Sequence, residues 1–341
     1  MTTENSRGLG LGDSGSDVET TSVDGIRPGI RAASTTTSPS TSVNGSLREP
    51  NDGAHAGTTP RRRSRTTGPV RDITSLATQL SDRDWSILRS VAEHRYLTVP
   101  QIQALHFGDM PPASGLRTTQ RVLARLRRDR ILASLTQRIG GIQAGSNGLV
   151  HYVDVVGDRL LRLAADRGPR RRFEQPTQRF LDHQLGIADA HVALVEANRQ
   201  GQLELVKCEI EPAAWRDYVG VGGVRLTLKP DLYAETASPP GSEYVDAAFI
   251  EIDRGTESIP TLLKKCREYE AYRRQGLEQD RSDGAFPFVV WSMSADTEAK
   301  AKRRRVALRQ AINGDGRLPA HLFRVIAPDQ LISVLQKGGE V

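Results

Sequence analysis

Cysteine is nearly absent from this sequence. Cys208 and Cys266 are the only two, 58 positions apart, and neither stands in a metal-ligand spacing. A disulfide framework and a structural zinc site are therefore not expected, and a reducing compartment fits. No apolar run approaches the ~20 residues needed to span a bilayer. The opening "MTTENSRGLG" also lacks the basic-then-apolar order of a signal peptide, so a cytoplasmic protein without membrane contact is expected. No GxxxxGK[ST] string is present, which argues against an ATPase. "GLGLG" at 8–12 has no strand before it and is not read as a dinucleotide loop. Aromatic residues are missing altogether from 1–76, which is dominated by Ser, Thr, Gly, Asp, Asn and Pro. Such a stretch cannot bury enough apolar area to offset its chain entropy, and a disordered tail is expected there.

Arginine is abundant instead. The formal net charge is +6, and the arginines gather in "PRRRSR" (60–65), "RTTQRVLARLRRDR" (117–130), "RGPRRRF" (167–173) and "KRRRVALR" (302–309). The bias is toward polyanions, although any one cluster is also what a solvated face looks like.

From Leu80 the pattern turns helical. Ser81 or Asp82 can cap a helix carrying Trp85, Leu88, Val91 and Ala92. Thr98 and Pro100 open a second, ended by Gly108. In the third, Val122, Leu123 and Leu126 fall on one side, and Arg117, Arg121, Arg125 and Arg128 form a stripe on roughly the opposite side. Two alternating segments joined by "GGIQAGSNG" then read as a hairpin. Three helices followed by a hairpin is the order of a winged helix-turn-helix, expected over 78–165, whose third helix lies in the major groove of double-stranded DNA. The four arginines are the candidate DNA-binding residues, because a guanidinium fork suits both phosphate and guanine.

A basic linker (166–177) leads to a second unit over 178–338. A long amphipathic helix bears His183 and His191, read as surface or packing residues. "LELVKCEIE", "VRLTLKPDLYAE" and "YVDAAFIEID" read as strands, followed by a helix from Ser258, the apolar strand "FPFVVWSMS", and then helix, strand and helix. This order predicts an α/β domain with a mixed sheet. Glu251 and Asp253 share one strand face, and Asp231 would meet Glu251 if its segment pairs antiparallel with theirs.

"KPDLYAE", "FIEIDRGTES" and "KKCREY" together resemble the metal-site pattern of restriction-endonuclease-like nucleases, in which a Pro-Asp precedes a strand bearing an acid, any residue and Lys. With the preceding helices and hairpin, residues 78–335 resemble the replication-relaxation family of bacterial mobile elements. The resemblance implies a fold class of α/β plus α+β: an N-terminal winged helix-turn-helix, then a restriction-endonuclease-like mixed-sheet α/β domain. It also implies a link to plasmid replication, relaxation or conjugation, and it assigns Asp231 and Glu251 as ligands of Mg²⁺.

Asp253 stands where such nucleases place Lys. In one reading Asp253 is a third metal ligand and Lys265, which borders the sheet-packing side of its helix, supplies the catalytic charge. In the other, Arg254 and Lys265 neutralise Glu251 and Asp253 in a buried ion-pair network, and "DRGT" is a turn. Three functional classes follow: a DNA-binding protein of a mobile element, a metal-dependent DNA endonuclease targeted by its winged helix, and an adaptor that docks a relaxase or replication protein. A transfer relaxase itself is not indicated, since Tyr269 and Tyr272 have no histidine cluster close in sequence.

Overall fold

The structure is a computed structural model that describes residues 72–138, 148–165, 173–282 and 284–338. The expected tail up to 71, the Gly-rich joint at 140–147 and the linker arginines at 167–172 lie outside these residues.

Helix α1 (Ile73–Gln79) begins inside the stretch read as a tail. The Asp72 carboxylate accepts the Thr74 N–H at 3.1 Å, and Leu76 is buried against the helices that follow. A side-chain cap and one docked leucine are enough to order a short helix beside an existing core. Capping boxes then start α2 (Asp82–His94), through Ser81 and Asp84, and α3 (Val99–Phe107), through Thr98 and Gln101. Strand β1 (Leu97–Thr98) lies between them. Helix α4 (Pro112–Arg128) starts five residues before Arg117, with Pro112 at a position where a missing N–H costs nothing. Strands β2 (Leu132–Arg138) and β3 (Leu149–Val153) follow, then α5 (Val155–Ala164). The three strands form an antiparallel sheet in the order β1-β3-β2. Ile87, Leu88, Val91, Ile102, Phe107, Leu123 and Leu126 fill the core beneath it.

Helix α6 (Gln178–Arg199) opens the second part of the chain. It precedes β4 (Glu204–Ile210), β5 (Arg216–Val219), β6 (Arg225–Leu228), β7 (Leu232–Ala237) and β8 (Asp246–Asp253). Then come α7 (Ile259–Arg273), β9 (Phe288–Met293), α8 (Glu298–Gly314), β10 (Phe323–Ile326) and α9 (Leu331–Lys337). The main sheet is mixed, in the order β10-β9-β8-β7-β4, with β8, β9 and β10 parallel and β7 antiparallel to both its neighbours. Apolar residues of α6 and α9 cover one face, and those of α7 and α8 cover the other.

"VRLTLKPDLYAE" is two strands rather than one. Pro230 has no N–H to donate and breaks the ladder. The part before it, β6, pairs with the unforeseen β5 in a separate two-stranded ribbon, and the part after it, β7, enters the main sheet.

Helix α6 is shared by both halves. Ala188 belongs to the first core, whereas Ile187, Ala190 and Leu194 belong to the sheet core. The Gln101 amide donates to the Leu185 carbonyl at 3.0 Å and to Asp189 at 2.6 Å. Arg199 donates to the Ala104 carbonyl at 2.9 Å, closing the carboxyl end of α3.

Candidate functional site

The sheet ends at β7 and β8 where Asp231 and Glu251 converge. Leu232 lies opposite Ile250 in the antiparallel register, which brings the preceding Asp231 beside Glu251. Asp231 is buried, and its Oδ2 accepts the Ile252 N–H at 2.7 Å. Its Oδ1 lies 3.3 Å from His183 Nε2 on α6. Glu251 is also buried. Lys265 Nζ donates to its Oε2 at 2.5 Å, and the Tyr269 hydroxyl donates to its Oε1 at the same distance. Asp231, His183, Glu251 and Lys265 border a cavity of about 290 Å³ that also touches Phe180, Asp253 and Trp291.

Lys265 reaches the acids because of its place on α7. Leu262, Cys266, Tyr269 and Tyr272 are buried along the helix face that packs on the sheet, and Lys265 sits at the edge of that face. Lys264 points to solvent, 3.9 Å from Glu268.

Asp253 takes a different partner from either expected one. Arg304 of α8 donates to its Oδ2 from Nη2 at 2.7 Å and also grips the Glu257 carbonyl at 2.8 Å. Arg254, expected to neutralise the pair, is exposed and reaches the Ser294 hydroxyl at 3.4 Å instead. The alternation that puts Glu251 and Asp253 on one face puts Arg254 on the other, so it cannot turn back to them. Beyond the strand, Gly255 has φ 77° and donates its N–H to Asp253 Oδ1 at 3.1 Å. A Cβ there would stand 2.8 Å from the Ala295 Cβ, which accounts for glycine in "DRGT".

Burial sets the electrostatics and is opposed by the neighbours. It pushes the Glu251 carboxyl up to about 8, with the charge of Asp231 adding to the rise and Lys265 working against it. Burial would also raise Asp231, but the His183 hydrogen bond and the nearby Lys265 ammonium outweigh it and hold that carboxyl below its ordinary range. His183 is raised in turn, because Asp231 outweighs the burial that would lower it. Lys265 is raised likewise, by Glu251 and Asp231 against burial. The cavity therefore holds one firmly ionised acid, one acid that resists ionisation, and a lysine that stays charged. Among the described residues, no group of three or more His, Cys, Asp or Glu side chains is arranged to hold a metal ion.

A second candidate surface lies on α4. Arg117, Arg121 and Arg128 are exposed along the helix, whereas Leu123 and Leu126 are buried. Arg125 departs from the expected stripe. Its Nη2 meets Asp84 Oδ1 at 2.5 Å, and Asp84 is the buried residue that closes the capping box of α2. Arg125 is thus a tie between α2 and α4, turned about 40° from Arg121 toward the neighbouring helix. In the "KRRRVALR" cluster Lys302 and Arg303 are exposed, but three other arginines are engaged. Arg304 holds Asp253, Arg305 binds the Met293 carbonyl and Glu298, and Arg309 binds the Val325 carbonyl.

Three of these residues escaped the sequence reading. His183 carried a usable signal, since it lies four and seven positions before Ile187 and Ala190 on the side of α6 that faces the sheet. Tyr269 carries no local signal for its role, because its hydroxyl bond depends on the position of Glu251 across the interface. The Arg304–Asp253 pair spans 51 positions and left no local trace.

A family model described as Replication-relaxation matches residues 88–289, more than half of the chain. No curated protein matches the chain. No solved structure matches it either.

Proposed function

The chain belongs to the replication-relaxation family, and on that premise we propose that it is a DNA-binding protein of a plasmid or other mobile element, acting in replication, relaxation or conjugal transfer. The observation that carries the proposal is the exposed row of Arg117, Arg121 and Arg128 on α4. Helices α2, α3 and α4 followed by the β2–β3 pair have the order of a winged helix-turn-helix, and α4 is the helix that such a fold lays in the major groove. The test is binding of the full chain to duplex DNA, with Arg117→Ala/Arg121→Ala beside the parent. Affinity should fall at least about 10-fold while thermal stability holds, because two exposed charge-assisted contacts are removed and no buried pair is broken.

A second reading, a metal-dependent DNA endonuclease, is favoured by Lys265, which α7 places against Glu251. Mg²⁺ is commonly held by one or two carboxylates together with waters and phosphate oxygens. Asp231 and Glu251 fit that role: each oxygen already accepts one hydrogen bond or faces one donor, and a carboxylate has about four acceptor sites. Asp253 does not fit it, being held by Arg304. When bound, the ion would polarise a scissile phosphate. Lys265 would hold positive charge beside it, and His183 would keep Asp231 ionised and oriented. Calorimetric titration of Mg²⁺ tests this reading. Binding that disappears in Glu251→Ala and persists in Asp253→Asn supports it, and no binding to the parent chain refutes it. In that event the second half becomes a non-catalytic platform, the form that suits an adaptor for a relaxase or replication protein.

A further inference from the structure

Every acid that borders the Asp231–Glu251 cavity has a basic partner, and one cation there has no acid. Asp231 faces His183 at 3.3 Å, Glu251 faces Lys265 at 2.5 Å, Asp253 faces Arg304 at 2.7 Å and Glu257 faces Arg179 at 3.5 Å. Arg254 borders the same cavity, and among the described residues no carboxylate stands within ion-pair distance of it. Its Nη1 makes one long hydrogen bond, 3.4 Å to the Ser294 hydroxyl. Asp189 of α6 feels the Arg254 charge without pairing with it, and its carboxylate takes the Gln101 amide at 2.6 Å.

The stem of Arg254 is nonetheless packed. A Cβ at Gly186 of α6 would stand 3.4 Å from Arg254 Cδ and 3.0 Å from Ile252 Cγ2, so the glycine lets the methylenes of Arg254 lie along the helix. The exposed head stands between two openings, the cavity of about 290 Å³ and a smaller one of about 90 Å³ lined by Asp189, Ser292 and Ser294. A fixed stem under a free fork loses little side-chain entropy when the fork takes a ligand.

Arg179 is the second available cation. Its pair with Glu257 is open to solvent on both sides, 61% and 44% exposed, and an ion pair of that kind is weak and opens readily. The helices add charge of the same sign. Thr177 caps the amino end of α6 and Ser258 that of α7, and the lining takes Thr177 and Arg179 from the first and Glu257 and Leu262 from the second. Aligned peptide dipoles make each of these ends partly positive. A phosphate group suits the mouth so formed, because a guanidinium fork matches two of its oxygens.

We propose that Arg254 and Arg179 are positioning residues that grip a backbone phosphate of DNA at the mouth of this cavity, beside Asp231 and Glu251. The inference deepens the endonuclease reading and rests on it in bringing a DNA strand to these acids. It is a contact separate from the α4 row, and it needs no metal to form.

The test is arginine modification by phenylglyoxal at neutral pH, followed residue by residue by mass spectrometry, on the full chain in metal-free buffer. The probes are a DNA duplex of roughly 12 base pairs, a little over one helical turn, and one of its strands alone. Arg254 and Arg179 should be protected by at least one of them. Arg274, 63% exposed at the far end of α7 and ~20 Å away along that helix, should react as it does without DNA. In Arg254→Ala the DNA concentration that half-protects Arg179 should rise about 10-fold, for the loss of one charge-assisted hydrogen bond. Arg254→Lys, which keeps the charge, should recover part of that rise, and neither variant should move the melting temperature. Protection that persists in Arg117→Ala/Arg121→Ala would uphold the site as separate from α4. Protection without any Mg²⁺ binding by calorimetry would defeat the endonuclease reading and uphold the contact. Mg²⁺ binding with Arg254 and Arg179 as reactive beside DNA as without it would overturn the contact and leave that reading standing. Equal protection of Arg274, or a lower melting temperature with unchanged protection in Arg254→Ala, would also overturn it.

Discussion

Lys265 Nζ lies 2.5 Å from Glu251 Oε2, joining the acid of the central strand β8 to a cation that α7 supplies 14 positions later. The carboxylate is buried to 2% exposure and the lysine side chain to 26%. Two consequences separate a structural ion pair from a surface coincidence. Lys265→Met should destabilise the fold toward the lower end of the ~3–5 kcal/mol typical of a broken buried pair, since Glu251 is left to shed its charge or carry it alone. Adding Glu251→Gln should recover much of that loss. Urea midpoints of the parent, both single variants and the double variant measure the coupling. A Lys265→Met midpoint equal to the parent's would show that the pair is not formed.

Asp253 and Arg304 form a second pair whose role is structural. Asp253 is 2% exposed and Arg304 16%, so Arg304→Ala should cost about 3 kcal/mol. Asp253→Asn in the same chain should restore most of it, because an amide needs no counter-charge. Thermal melts of the two single variants and the double variant check this. A double variant no more stable than Arg304→Ala would indicate that Arg304 acts chiefly through the Glu257 carbonyl.

The turn after β8 should be intolerant of a side chain. Gly255→Ala combines φ 77° with a 2.8 Å approach to the Ala295 Cβ, and is expected to cost about 1–3 kcal/mol. Gly276→Ala shares the positive φ of 76° but has nothing within 4 Å of the added Cβ, so it should cost less. Chemical denaturation of the two variants side by side isolates the packing contribution.

Acid lability should trace to buried and half-buried histidines. Burial lowers His94 to about 3 and His106, His151 and His191 to about 4, from an ordinary 6.5. Between those values the unfolded chain takes up protons that the folded chain refuses. The stability these groups contribute is therefore complete above about 6.5 and is lost as pH falls toward 4, by about 1.4 kcal/mol per pH unit for each histidine. His183 acts in the opposite direction, since its folded value is raised by Asp231. Urea titrations between pH 7 and pH 4.5 should show a steep fall. His191→Asn should make it shallower, whereas His183→Asn should make it steeper.

Much of the fold could be read from local patterns. Ser81 and Thr98 announced their helices because a capping box is a contact between near neighbours in the chain. The apolar run of β9 announced a strand, and all six of its residues are buried. The convergence of Asp231 with Glu251 followed from period-two alternation once an antiparallel pairing was supposed, and the reach of Lys265 followed from its wheel position. What could not be read depends on three-dimensional partners. Arg125 looked like part of a basic stripe, and its capture by Asp84 is decided by how α2 and α4 pack. Arg254 sits next to Asp253 in sequence yet points away, while Arg304 arrives from a helix across the sheet. Pro230 did carry the signal that split β6 from β7, and its missing N–H was the physical reason to expect it.

The most direct test of the DNA-binding account is the salt dependence of duplex affinity. For the parent chain, the logarithm of the binding constant should fall linearly with the logarithm of salt concentration, with a slope of about −0.9 for each phosphate neutralised. Arg117→Ala/Arg121→Ala should make that slope shallower by about 2, one phosphate for each arginine, with the melting temperature unchanged. A slope and affinity equal to the parent's would contradict the account, because the exposed row on α4 would then be a solvated face and not a surface that grips DNA.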